Sequence, residues 1–137
     1  MNKRKFFTGT GAFALVGLMV VQTVCASSPA SINTGIYGTM TGSLSVTVVQ
    51  GISRKYYNFN TRVEKKAPVV VAEILITEKG TGTHLYTEPA FAYDSKYAGY
   101  YYEEHNAASA KLNRVAYGNH EVRYDSGAWA VYTSIEG

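Results

Sequence analysis

Over residues 36–48 apolar and hydroxyl-bearing side chains change places at every step. Ile36, Met40, Leu44, Val46 and Val48 hold one parity; Tyr37, Thr39, Thr41, Ser43, Ser45 and Thr47 hold the other. Successive side chains of an extended chain point to opposite faces, so this pattern makes a half-buried strand and not an amphipathic helix. Gly38 and Gly42 fall on the apolar parity, where a bend, a bulge or the close approach of a neighbouring element is expected.

The rest of the chain reads in the same way. After a turn at 50–53, residues 54–63 alternate again, with Tyr57, Phe59, Thr61 and Val63 opposite Tyr56, Asn58, Asn60 and Arg62. A charged connection, Glu64-Lys65-Lys66-Ala67, leads to Pro68, which opens the next element. Residues 69–77 are apolar on both parities and rich in β-branched side chains, which suits a central strand. Lys79-Gly80-Thr81-Gly82 is a turn, and a short strand at 83–87 stops near Pro89. Residues 98–103 form a strand carrying three tyrosines. The stretch 106–116 is alanine-rich but has no apolar stripe at helical spacing; a loop followed by a strand at 110–117 fits it better than a helix. Gly118-Asn119 turns into 120–125, and Asp125-Ser126-Gly127 connects tightly to 128–135. Seven or eight short strands predict an all-β fold: a small antiparallel β-sandwich, with a small β-barrel as the alternative.

Ahead of these strands lies a leader. Lys3, Arg4 and Lys5 give a positive start, residues 6–24 carry no charge, and Val24-Cys25-Ala26 offers a peptidase site. That three-part pattern is a secretory signal peptide spanning 1–26. Its apolar centre, 12–21, is shorter than the roughly 20 residues of a spanning helix, so no stable membrane anchor is expected after cleavage. Val24 and Gln22 before Cys25 do not fit a lipoprotein signal. With Cys25 removed the mature chain has no thiol and forms its core without a disulfide. The organisation is then a lead-in at 27–34, polar and flexible, and one β domain at 35–137.

Removing the leader also changes the charge. Three of the 13 basic residues leave with it, and the remaining ten balance the ten acidic ones. A neutral surface argues against a nucleic-acid partner and against a polybasic hold on lipid.

Chemistry-bearing residues are few. His84, His105 and His120 stand in no metal-ligand spacing, so no metal or cofactor is expected. In Glu103-Glu104-His105, an extended chain lets Glu103 and His105 share a face while Glu104 points away. No serine stands in a nucleophile elbow. Glu73 sits among Val70, Val71, Ile74 and Leu75; Arg54, Arg62 and Arg123 are its candidate cross-strand partners, and burial without one would raise its pKa as a general acid requires.

Tyrosine carries the strongest functional signal. All 12 tyrosines follow the leader, against one tryptophan, Trp129. Tyr93, Tyr97, Tyr100, Tyr101 and Tyr102 fall within ten residues. On a strand Tyr100 and Tyr102 share one face and Tyr97 and Tyr101 the other, so one pair packs inward while the other forms an aromatic strip. Tyr97, Tyr100, Tyr101 and Tyr102 are therefore the candidate binding residues. The leading expectation is an exported, non-enzymatic binding or interaction module, secreted or at the cell envelope, recognising a glycan or a surface protein. A secreted bacteriocin-like factor is the second reading, and a small hydrolase with an undeclared site the third.

Overall fold

The computed structural model describes residues 19–49, 54–104 and 114–136. Its strands are β1 (Met19–Ser27), β2 (Ala30–Asn33), β3 (Thr39–Val49), β4 (Arg54–Glu78), β5 (His84–Glu104), β6 (Arg114–Tyr124) and β7 (Gly127–Glu136). Six of them, β2 to β7, are antiparallel and form a nearly closed, barrel-like sheet. The order is β7-β6-β4-β3-β2, with β5 on β4 and the short β2 returning towards β7. β1, in the stretch expected to leave as a signal peptide, runs parallel to β7.

The all-β expectation holds, but among the described residues the strands are longer than expected, and some expected pairs are merged. The segments expected at 54–63 and 69–77 are one strand, the 25-residue β4. The charged residues 64–66 and Pro68 mark a bend inside it. There the register with β5 slips between Arg62 and Ala67, β3 ends its pairing at Val63, and β6 begins its own at Val69. Pro68 has no N–H to give to a ladder, and the exposed Glu64, Lys65 and Lys66 take the outside of the bend. β5 follows β4 on both sides of this bend and merges the strands expected at 83–87 and 98–103.

Folding the β4–β5 ribbon brings its two halves face to face. Met40 and Leu44 of β3 and Tyr57, Phe59 and Val63 of β4 supply one wall; Val70, Ala72, Ile74, Val122 and Val131 supply the other, all 5 % exposed or less. Each such large side chain contributes roughly 1.5–3 kcal/mol by leaving water. The alternation read in 36–48 and 54–63 decides which residues face inward. β3 turns Thr39, Ser45 and Thr47 outward, and the first half of β4 turns Asn58 and Arg62 outward.

Three expectations are corrected. Ile36 precedes β3 and is 72 % exposed, because the turn between β2 and β3 closes on Thr34 and Gly38 instead. The lead-in at 27–34 contains β2, whose Ala30 and Ile32 are buried against the core. Gly118-Asn119 is mid-strand in β6 and not a turn, since a side chain at Gly118 would collide with His120 and Thr133. The turn at 50–53 and most of the loop-then-strand at 106–116 lie outside the described residues, although 114–117 does open β6.

Candidate functional site

β5 pairs with β4 along one edge, and among the described residues no strand covers its other edge. Its register places Tyr97 opposite Arg62 and Tyr101 opposite Asn58, on the outer face; Tyr100 stands opposite Phe59 and Tyr102 opposite Tyr57, on the inner face. Tyr97, Tyr100 and Tyr101 are 41 %, 59 % and 55 % exposed, while Tyr102 is half-buried. The face assignment follows the sequence expectation, but Tyr100 does not pack inward. The Tyr100 and Tyr101 rings lie 5.6 Å apart and stacked.

The outer face around them is polar. Ser43, Asn60 and Gly99 form one cross-strand row, and Ser45, Asn58 and Tyr101 the next. Tyr97 lies down along its own strand. A Cβ on Gly99 would stand 2.5 Å from the Tyr97 hydroxyl, so only glycine lets the ring take this position. The Arg62 guanidinium holds that ring from 4.7 Å, a cation–π contact. Side-chain amides, hydroxyls and aromatic rings thus share one surface.

Tyr102 joins a second group at the far end of β5. Its ring stacks on Tyr86 at 3.6 Å and lies 6.1 Å from Tyr57. The Tyr57 hydroxyl donates to Glu104 Oε1 over 3.3 Å, and Arg114 Nε and Nη2 donate to Glu104 Oε2 over 3.3 and 3.2 Å. A cavity of about 200 Å³ opens here, lined by Ile76, Leu85, Tyr86, Tyr102, Glu104 and Arg114. Burial, then the negative Glu104, pushes the Tyr57 phenol well above its ordinary value. Burial also lowers the ammonium of Lys55, with Glu104 opposing and Arg114 adding to the effect. The sequence had paired Glu103 with a residue outside the described set, His105; it is Glu104 that faces this group. Lys55, Tyr57, Tyr86, Glu104 and Arg114 carried no motif. They meet through strand register and the bend in β4, neither of which has a local sequence signal.

Glu73 is 2 % exposed, and its Oε1 lies 3.5 Å from the side-chain amide of Asn119. That amide also donates to Glu121, and Arg123, one of the expected partners of Glu73, pairs instead with Glu121 at 2.6 Å. His120 is fully buried between Thr61 and Thr133, and His84 is exposed beside Thr87. Among the described residues no three histidines, cysteines or acids are grouped to hold a metal ion, and no helix is long and apolar enough to cross a membrane.

Comparisons with protein-family models, with curated proteins and with solved structures find no match, so the geometry carries the functional reading by itself.

Proposed function

We propose that this chain is an exported, non-enzymatic binding module that recognises a glycan through the outer face of β3, β4 and β5. The observation that carries this reading is the pair Tyr97 and Tyr101, whose rings are exposed on one face with Asn58, Asn60, Ser43 and Ser45 beside them. A flat aromatic ring meets the C–H face of a pyranose, and amides and hydroxyls at fixed spacing meet its hydroxyl groups. Arg62 and Gly99 hold Tyr97 in place before any ligand arrives, which lowers the ordering cost of binding. We also read the barrel-like sheet as two facing layers, sandwich-like in its packing, with this platform on the outside of one layer. The signal-peptide pattern supports a place outside the cytoplasm, and the neutral charge balance after the leader fits a partner other than nucleic acid.

Binding to insoluble cell-wall polysaccharide tests the reading. Tyr97→Ala with Tyr101→Ala should weaken binding tenfold or more, since a central aromatic is typically worth about 2 kcal/mol. The melting temperature should hold, because exposed positions usually change stability by about 0.5 kcal/mol or less. A double variant that folds and binds as before removes the platform from consideration.

A further inference from the structure

We propose that the cavity between β5 and β6 is a second, distinct subsite that takes one sugar ring bearing a carboxylate, such as a hexuronic acid, with Arg114 as its anion-binding group. The inference rests on the glycan reading for the ring and on this cavity's own geometry for the acid.

Arg114 supplies that geometry. A guanidinium has five N–H donors in a planar fork. Nε and one N–H of Nη2 are spent on Glu104 Oε2. Nη1 has no hydrogen-bond partner, although the side chain is only 3 % exposed. A buried donor on a charged group is costly to leave unmet, more so than a neutral one. The unspent end of the fork, Nη1 with the second N–H of Nη2, has the spacing that binds a carboxylate through two parallel hydrogen bonds. Glu104 holds the guanidinium from its other side and fixes the direction of that free end.

The walls select what carries the acid. Tyr86 and Tyr102 present a stacked pair of rings, and Tyr86 is held by its hydroxyl donating to Glu88 over 2.6 Å. Glu104 Oε1, already accepting from Tyr57, stands beside the cavity as an acceptor for a hydroxyl. A volume of about 200 Å³ lies below the roughly 300–1,000 Å³ of sites for drug-sized ligands, so it admits one ring, free or at a chain end. An aromatic wall, one anion-binding fork and one hydroxyl acceptor describe a carboxylated pyranose better than an aliphatic acid or a neutral sugar.

The test is an NMR titration of the protein with methyl galacturonoside, its methyl ester and methyl galactoside. The acid should shift the Arg114 side-chain resonances and the ring resonances of Tyr86 and Tyr102, and the ester and the neutral sugar should not at the same concentration. Arg114→Lys keeps the charge and loses the fork, and it should weaken acid binding at least tenfold. Leu85→Trp fills the cavity while leaving the Arg114–Glu104 pair intact, and it should abolish the response, which keeps the proposal testable if Arg114→Lys does not fold. An oligogalacturonide with the same response assigns the chain end as the source; a response confined to the monosaccharide assigns the free sugar. Equal shifts from acid and ester, or none at Arg114 with saturating acid, overturn the subsite. In that event binding of neutral polysaccharide through Tyr97 and Tyr101 still stands or falls separately, because those residues do not line this cavity.

Discussion

The imidazole of His120 and the hydroxyl of Thr61 meet in the interior between the two halves of the folded ribbon, with Nδ1 and Oγ1 3.0 Å apart. Thr61 gives its only hydroxyl proton to the Val71 carbonyl at 2.7 Å, so towards the ring it accepts. Nδ1 therefore carries the proton, and Nε2 receives one from the Thr133 hydroxyl at 2.9 Å. The neutral ring satisfies both threonines and ties β4 to β6 and β7.

A second proton has no place in that arrangement. Burial lowers the His120 pKa from 6.5 to about 3, against a smaller opposing effect of a hydrogen bond to the Asn60 backbone. A depressed value means that the stability is complete above 6.5 and is lost as the pH falls towards 3, because the unfolded chain takes the proton that the core refuses. Each pH unit of that window is worth on the order of 1.4 kcal/mol. Urea midpoints should therefore fall between pH 7 and pH 4, and His120→Leu should flatten the slope while lowering the value at neutral pH. Equal slopes in the two proteins would remove His120 as the titrating group.

The same ring dictates a glycine. A methyl group at position 42 would overlap the His120 imidazole, which is enclosed on all sides. Gly42→Ala should cost about 1–3 kcal/mol or more by overpacking, visible as a clear drop in melting temperature. Ser45→Ala, exposed on the same strand, is the control and should stay within about 0.5 kcal/mol. A Gly42→Ala protein as stable as the control would mean that the ring and β3 have room to separate.

These two cases mark what the sequence makes legible. Gly42 on the apolar parity of β3 points to a bend, a bulge or a close approach, because a one-residue exception within a regular pattern stands out, and the structure shows the last of these. Which residue approaches, His120 from β6, depends on the bend in β4 and has no local trace. Gly118 misled for the same reason: it clears space for His120 and Thr133, and in isolation a Gly-Asn pair reads as a turn. Period-two geometry puts Tyr97 and Tyr101 on one face; that this face is the outer one depends on their register with Arg62 and Asn58 of β4. The exposure of Tyr100 depends instead on an uncovered edge. Glu73 stands out in the sequence as an acid in an apolar run, and the structure buries it with the Asn119 amide 3.5 Å away. The cavity at Arg114 draws on β4, β5 and the start of β6, and nothing in any one segment announces it.

Arg123 and Glu121 make a third prediction. They are two residues apart on β6, with Nε 2.6 Å from Oε1; the Glu121 side chain is 0 % and that of Arg123 20 % exposed. Removing one member of such a pair leaves a buried charge and costs about 3–5 kcal/mol. Arg123→Met keeps an aliphatic side chain at that position and removes the cation, its donors and its cation–π contact with the Phe91 ring, 5.6 Å from the guanidinium. We expect a loss near the lower bound, because Asn119 still donates to Glu121. Adding Glu121→Gln should recover part of it. A single variant within about 0.5 kcal/mol of the parent would mean that the pair is dispensable.

We expect Tyr57, with its neighbours Tyr86 and Tyr102, to bear on the alkaline stability of the fold. The Tyr57 ring is fully buried, and its hydroxyl donates to Glu104. Burial first, and then the nearby carboxylate, raises the phenol above its usual 10.0, and burial raises Tyr86 and Tyr102 in the same direction. For a phenol the charged form is the deprotonated one, so a raised value contributes stability that is complete below pH 10 and is lost as the pH climbs past it. Alkaline titration followed by phenolate absorbance should show a late group of tyrosines that ionise together with loss of the near-ultraviolet circular dichroism. Tyr57→Phe removes one of them and leaves Glu104 with the guanidinium of Arg114. At neutral pH it should cost about 1–2 kcal/mol, the range for a lost hydrogen bond whose acceptor keeps another donor. Above pH 10 the gap between variant and parent should narrow, because the parent alone must then bury or expel a phenolate at that position. A gap that stays constant with pH would show that the Tyr57 phenol titrates alike in the folded and unfolded protein, as a solvated one does, and the closed contact with Glu104 would have to be abandoned.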